Sequence, residues 1–278
     1  MAPSPRMLWF ELSTRCQLAC GHCYNSSGID GTHGTMTGDD WRAVIGQAAA
    51  LDVGMIQFIG GEPTLHPDLP ALIGAARQAD VEVEVYSNLV HVSDATWAAL
   101  AVPGVRLATS FYSDDRDEHQ QITGRDTHRQ TCSHIARALE MGIPVRAGLV
   151  EVLDGQRTAQ AHAMLTRMGV THIRTDRLRP FGRAATGDSP DPAGLCGRCG
   201  YNAAAILPDG AVAACPMSRW HTVGNVRTTG LADLLTLPLT PPAMPVLGAD
   251  CEPQTCMPNG DASCEPQCTP GCDPGAEE

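Results

Sequence analysis

Aromatic residues are scarce, at 4% of 278 residues, so the core must be built mainly from Ala, Val, Leu and Ile. Long apolar runs are missing as well. No window approaches the ~18 consecutive apolar residues of a membrane span. Positive charge is in short supply: 19 Lys and Arg stand against 31 Asp and Glu, a formal net charge of −12. Such a balance disfavours nonspecific binding to nucleic acid or to anionic membranes. The N-terminal stretch Met1 to Arg6 has no apolar targeting segment ahead of the first strand-like run, which reads as a cytoplasmic protein. Cysteine, by contrast, is abundant. Twelve cysteines in a reducing compartment read as metal ligands rather than a disulfide scaffold. The length and the 43% hydrophobic content allow one sizeable core plus a smaller appended unit.

Three of the cysteines, Cys16, Cys20 and Cys23, stand at the spacing C-x3-C-x2-C directly after the apolar run 7–12. Three thiolates on one short loop can cap three corners of a cubic iron–sulfur cluster. The fourth iron then lacks a protein ligand from this loop and is open to a small molecule. A C-x2-C pair by itself also suits zinc or a redox disulfide.

From residue 8 to about 177, strand-like and helix-like runs alternate. Strands are expected at 8–12, 55–59, 81–87, 106–110, 145–151 and 172–177. Most are short, apolar and rich in β-branched residues, as buried parallel strands are. Thr37 with Asp40 reads as a capping-box variant, and Ser93 as another cap. Gly142 and Gly169 sit where helices should stop. The pattern predicts an α/β fold, a partial (β/α)6 TIM-like barrel over residues 1–187, with ligands at the C-terminal ends of the strands. A Pro/Asp/Gly linker at 188–194 marks the expected boundary. Beyond it, residues 188–278 are expected to form a small, cysteine-rich, loop-dominated domain. Its readable part is a hairpin, 203–207 and 211–214 around Pro208-Asp209-Gly210, followed by a turn at 224–226 and a short helix at 231–235.

The cysteine trio, the Gly60-Gly61-Glu62-Pro63 turn after the second strand, and the alternation resemble the radical SAM enzymes. That resemblance implies a 4Fe-4S cluster on Cys16, Cys20 and Cys23 with S-adenosylmethionine on the open iron. It implies that Gly60, Gly61, Glu62 and Pro63 hold the amino group of S-adenosylmethionine. Ser87 and Asn88 are expected near the ribose, with Ser110 and Arg146 as further contacts, Arg146 either with a bound carboxylate or in an internal salt bridge. His22 stands where an aromatic usually precedes the last cysteine of the trio. Its ring could cover the cluster or hydrogen-bond to a sulfide.

Eight cysteines follow the linker: Cys196, Cys199, Cys215, Cys251, Cys256, Cys264, Cys268 and Cys272. The run from Cys199 to Cys215 resembles the opening of the SPASM extension, which carries auxiliary clusters. Eight thiolates suffice for two fully ligated 4Fe-4S clusters, three clusters in all. From Pro238 onward, nine prolines and five cysteines in 41 residues make a chain that needs a metal staple to fold. Its cysteine spacing departs from the family pattern, and four-thiolate zinc uses the same ligands.

Clusters with no open iron suit electron removal from a substrate radical. The run from Ser110 to Arg125 is similar to peptide-modifying members of the family, so the first expectation is a crosslink in a ribosomally made peptide. The expected partners are a peptide or small-molecule substrate, a donor such as flavodoxin or ferredoxin, and a separate leader-peptide-binding protein, since the first strand starts by residue 8. The alternatives are dehydrogenation or epimerisation of a sugar, aminocyclitol or nucleoside, or electron transfer without catalysis. His119 and Cys132 are the candidate catalytic residues; the bland alternative for His119 is an exposed polar loop residue, and Cys132 is either a small buried helix residue or a hydrogen-atom donor if the enzyme epimerises.

Overall fold

The computed structural model describes residues 6–244. The tail cysteines Cys251, Cys256, Cys264, Cys268 and Cys272, and the ligand roles expected of them, lie outside the described residues. Strands β1 (Met7–Glu11), β2 (Met55–Ile59), β3 (Glu82–Ser87), β4 (Val105–Phe111), β5 (Val145–Glu151) and β6 (His172–Arg177) alternate with helices α1 (Gly38–Ala50), α2 (Leu69–Gln78), α3 (Asp94–Leu100), α4 (Arg116–Thr123), α5 (His128–Glu140) and α6 (Thr158–Met168). Neighbours β1 to β6 pair in parallel, in chain order. β1 and β2 are buried over their whole length, which is why they read as continuous apolar runs instead of alternating ones.

Local signals place the helices. Thr37 and Asp40 close a reciprocal capping box at the start of α1, the Thr37 amide donating to Asp40 Oδ2 at 2.9 Å. Ser93 caps α3, and Gly169 ends α6 in the left-handed region. Helix α1 presses Trp41 onto the sheet, where its ring lies 5.2 Å from that of Phe10, which in turn meets Phe58 edge-on at 5.9 Å. Trp9, Trp97, Phe111 and Phe181 are buried in the same core, and aliphatic side chains fill most of the rest.

The sheet does not stop at the expected boundary. Strand β7 (Ala203–Ile206) pairs in parallel with β1, and β8 (Ala211–Ala213) and β9 (Thr222–Asn225) follow antiparallel. The order is β6-β5-β4-β3-β2-β1-β7-β8-β9, one sheet of nine strands. The hairpin is there, but it covers the open β1 edge of the barrel rather than standing apart. An exposed β1 would offer a row of unpaired backbone groups, and β7 removes that liability. The hairpin turn docks on the loop before α1, where Thr35 and Met36 amides donate to the Pro208 carbonyl at 3.0 and 3.1 Å. The turn expected at 224–226 is instead largely the end of β9. A short helix α7 (Leu231–Leu234) then packs on α1, with the Leu231 amide donating to Gln47 Oε1. Among the described residues, no helix is long and apolar enough to cross a membrane.

Candidate active site

The cysteine loop leaves β1 at the edge where all six parallel strands end. Its backbone is tied on three sides. The Cys16 amide donates to the Gly28 carbonyl at 2.9 Å, and the Ala19 amide to Thr123 at the end of α4 at 3.0 Å. From β2, Gly61 donates to Ser13 at 2.6 Å and Glu62 to Arg15 at 2.9 Å. A Cβ on Gly61 would sit 2.5 Å from the Arg15 carbonyl oxygen, so only glycine lets the two loops meet. The third tie is the segment after β6. Arg183 donates through Nε to the Cys20 carbonyl at 2.7 Å and through Nη1 to Ser27 at 2.6 Å, and its amide donates to Cys23.

The three thiols face one cavity. Gly60, Gly61, Asn88 and Ser110 line it from β2, β3 and β4, as expected, and Asn88 Nδ2 lies 3.6 Å from Cys16 Sγ. The wall also contains residues that sequence reasoning had not assigned to the site: Tyr86, Tyr112, the run from Asp176 to Arg179, and Pro216 with Met217. Of these, Tyr112 carried a signal. It stood in the run from Ser110 to Arg125 noted for family resemblance, but nothing local showed that it would reach the thiols.

Other expected contacts stand behind the wall. Glu62 is fully buried and does not reach the cavity. Its Oε1 accepts from the Thr64 amide, the Thr64 hydroxyl and the Ser87 hydroxyl, and its Oε2 accepts from the Asn88 amide at 2.8 Å. Ser87 is thereby spent on Glu62, and Pro63 opens a buried 3-10 turn. Arg146 takes the internal alternative. It reaches across β4 to Glu84 on β3, donating from Nε and Nη2 at 2.7 Å each, with both side chains buried. His119 is not an exposed loop residue. It lies on α4, 2% exposed, its ring among Phe111, Tyr112 and His128. Burial, helped by His128, holds its pKa down at about 4, so it is neutral. Cys132 sits on α5, 3.7 Å from His128 Nε2, and is not part of the cavity wall.

The donor set fits an iron–sulfur cluster. Burial pushes the Cys16 and Cys20 thiols up to about 12, and the neighbouring Glu62 and Cys23 add to it. Thiolates here need positive charge beside them, which an iron cube provides. All seven described cysteines are free. No three His, Cys, Asp or Glu among the described residues are arranged for a single metal ion. A second group forms beyond β6: Cys199 and Cys215 approach to 3.2 Å between sulfurs, with Cys196 against Cys199. Cys215 immediately precedes Pro216 and Met217, so this group adjoins the cavity.

Residues 10–160 match the family model described as the radical SAM superfamily. The chain belongs to the radical SAM superfamily. Residues 196–240 match the SPASM iron–sulfur cluster-binding domain. Part of the chain is similar to a PqqA peptide cyclase of Streptomyces rochei, 29% identical over 148 residues, which is 53% of this chain and 41% of that protein. Another PqqA peptide cyclase, of Xanthomonas campestris pv. campestris, is 39% identical over 134 residues, 48% of this chain and 32% of its own. The matched stretches thus span less than half of these relatives. The fold is similar to that of Streptococcus suis SuiB bound to precursor peptide SuiA, with a TM-score of 0.73 at 16% identity, covering 86% of this chain and 66% of that one.

Proposed function

We propose that this chain is a radical SAM enzyme that installs a crosslink in a ribosomally synthesised peptide. The observation that carries the reading is the cavity itself. One wall holds the Cys16, Cys20 and Cys23 thiols, and another is made by Pro216 and Met217, next to Cys215 of the second thiol group. The similarity to PqqA peptide cyclases supports a peptide as substrate.

In this reading Cys16, Cys20 and Cys23 hold the cluster. Bound together there, the cluster and S-adenosylmethionine supply a 5′-deoxyadenosyl radical that can take hydrogen from an unactivated C–H bond. The glycine pair admits the amino-acid end of S-adenosylmethionine close to the backbone, and Asn88 and Ser110 offer polar groups to its ribose. The buried wall excludes solvent from the reacting carbon. Cys196, Cys199 and Cys215, with tail cysteines, hold the auxiliary clusters. Such clusters would supply an acceptor for the electron left on a peptide that loses one hydrogen as an atom and one as a proton. A one-electron donor such as flavodoxin or ferredoxin and a leader-binding protein are the partners this chemistry calls for.

The test is anaerobic reconstitution followed by incubation with reductant, S-adenosylmethionine and short peptides encoded beside this gene. The expected outcome is peptide-dependent 5′-deoxyadenosine and a peptide lighter by two hydrogens. Absence of 5′-deoxyadenosine would remove the enzymatic reading. Turnover of a sugar or aminocyclitol, with peptides inert, would replace the substrate class.

A further inference from the structure

Backbone carbonyls at strand ends have no ladder partner, and something else must satisfy them. At the ends of β4 and β5 one side chain does so. Gln156, in the loop between β5 and α6, donates through Nε2 to the Tyr112 and Val150 carbonyls, at 2.9 Å each. Its Oε1 accepts from the Val152 and Leu153 amides at 2.7 and 3.1 Å. Both protons and both lone pairs of the side-chain amide are thereby used. Tyr112 and Val150 line the cavity, whereas Gln156 stands behind them. The next residue anchors the same loop. Arg157 donates as a fork, from Nε to Asp114 Oδ1 and from Nη2 to Asp114 Oδ2, at 2.8 Å each, and its amide donates to Glu118 Oε2 at 3.1 Å. Asp114 and Glu118 bracket the start of α4, which Asp115 caps. The far end of α4 bears on the thiol loop. There the Thr123 carbonyl accepts from the Ala19 amide, and a Cβ on Gly124 would lie 3.1 Å from Ala19. A continuous line of contacts thus runs from the cavity wall through Gln156, Arg157 and α4 to the thiol loop.

We propose that Gln156 and Arg157 are positioning residues for hydrogen transfer, acting through Tyr112 and Val150 to hold the β4–β5 wall of the cavity at a fixed distance from the thiol loop. The inference rests on the radical enzyme reading given above. Its physical basis is alignment. A radical takes hydrogen only across a short, directed contact, and a misplacement of about 1 Å caused by a distant change can cost on the order of 100-fold. The thiols and the glycine pair belong to β1 and β2, whereas the wall that Gln156 holds lies further along the sheet. Loosening that wall leaves the thiol loop and the glycine pair in contact, so it disturbs the placement of the hydrogen more than the cleavage of S-adenosylmethionine.

The test uses the full chain, reconstituted anaerobically, with the precursor peptide encoded beside this gene. The readout is 5′-deoxyadenosine formed per crosslinked peptide. Gln156→Ala should raise that ratio about tenfold. Arg157→Ala should raise it by less, because its pair with Asp114 is partly exposed. A merely structural role would lower both products together and leave the ratio where it was. Gln156→Glu keeps an acceptor for Val152 and Leu153 but turns an oxygen toward two carbonyls, so it should uncouple as Gln156→Ala does. If Gln156→Ala takes up no iron, Gln156→Glu and Arg157→Ala carry the same comparison. Independently of any cluster, hydrogen exchange at the Val152 and Leu153 amides should be faster in metal-free Gln156→Ala than in the metal-free wild type. Wild-type ratios in the Gln156 and Arg157 variants, each with full iron, would overturn the proposal, as would unchanged amide exchange in metal-free Gln156→Ala. A wild-type chain that forms no 5′-deoxyadenosine would instead overturn the enzymatic reading, and the proposal with it.

Discussion

Glu62 was expected to face the ammonium of S-adenosylmethionine, yet its carboxylate is spent inside the protein. Its four acceptor bonds, from Thr64 twice, Ser87 and Asn88, clasp the ends of β2 and β3 together. Burial raises its pKa, and these donors act against that rise. Glu62→Gln puts an amide where an acceptor oxygen was, and should cost about 1–3 kcal/mol in the metal-free chain, because one buried donor is left unmatched. Thermal unfolding without S-adenosylmethionine measures this. An unchanged melting temperature combined with weaker binding would return Glu62 to a ligand contact. The Glu84–Arg146 pair makes a second residue-scale prediction. Burial pushes the Glu84 carboxyl up, but Arg146 more than offsets it, and the net shift is below the usual 4.5. Arg146→Met strands a buried carboxylate and should cost about 3–5 kcal/mol at neutral pH. Glu84 contributes stability fully above pH 4.5 and loses it as pH falls through its depressed native value. In the variant, an unpaired Glu84 prefers its proton, so acid relieves the strain. The stability gap measured by denaturant titration should therefore narrow in acid. Cys132, off the cavity wall, should tolerate Cys132→Ala with turnover intact and no solvent deuterium at the reacting carbon of the product. Deuterium incorporation with stalled turnover in the variant would make it an epimerase donor.

At the scale of elements, the site is a meeting of three loops whose positions depend on backbone contact. The loop after β1 carries the thiols, the turn after β2 holds it through Gly61, and the segment after β6 closes over it. Gly182 in that segment has φ +59, and a Cβ there would lie 2.3 Å from the Cys23 carbonyl oxygen. Gly61→Ala forces the β2 turn away from Arg15, and the cysteine loop moves with it. The expected result is loss of iron from the core site, with the Cys196–Cys199–Cys215 group unaffected. Iron content and the electron paramagnetic resonance response to S-adenosylmethionine report the two sites separately. Retention of a responsive core cluster in Gly61→Ala would show that the loops meet with slack. The capping box at Thr37 and Asp40 is the opposite case, a feature complete within four residues and visible from their order.

The described residues share one sheet that carries thiols at two places. The Cys196–Cys199–Cys215 group flanks β7 and β8, with Cys199 before β7 and Cys215 after β8, whereas the thiol loop follows β1. Three plus eight thiolates predict about twelve irons per chain after anaerobic reconstitution, from three cubic clusters. Cys199→Ala with Cys215→Ala should remove roughly four of these and leave the core signal. Iron near a third of the full value, accompanied by zinc, would assign the C-terminal thiols to zinc instead.

Strand positions, helix caps and the thiol loop were determined by the sequence alone, because each rests on residues within a few positions of one another. β2, β5 and β6 match their expected spans, and Gly60, Gly61, Asn88 and Ser110 do line the cavity. Only the tertiary structure decided the rest. That β7 joins β1, that Arg146 finds Glu84, that Glu62 is a clasp, and that His119 is buried behind Tyr112 are all questions of partner choice. The first three pairs of partners lie 25 to 196 residues apart, and His119 is covered by Tyr112 from the loop before its own helix, so local periodicity carries no information about them. His22 shows the difference in a single side chain. Its place beside Cys23 is written in the sequence, whereas its tie to Tyr112, 90 residues away, exists only once β4 has paired into the sheet.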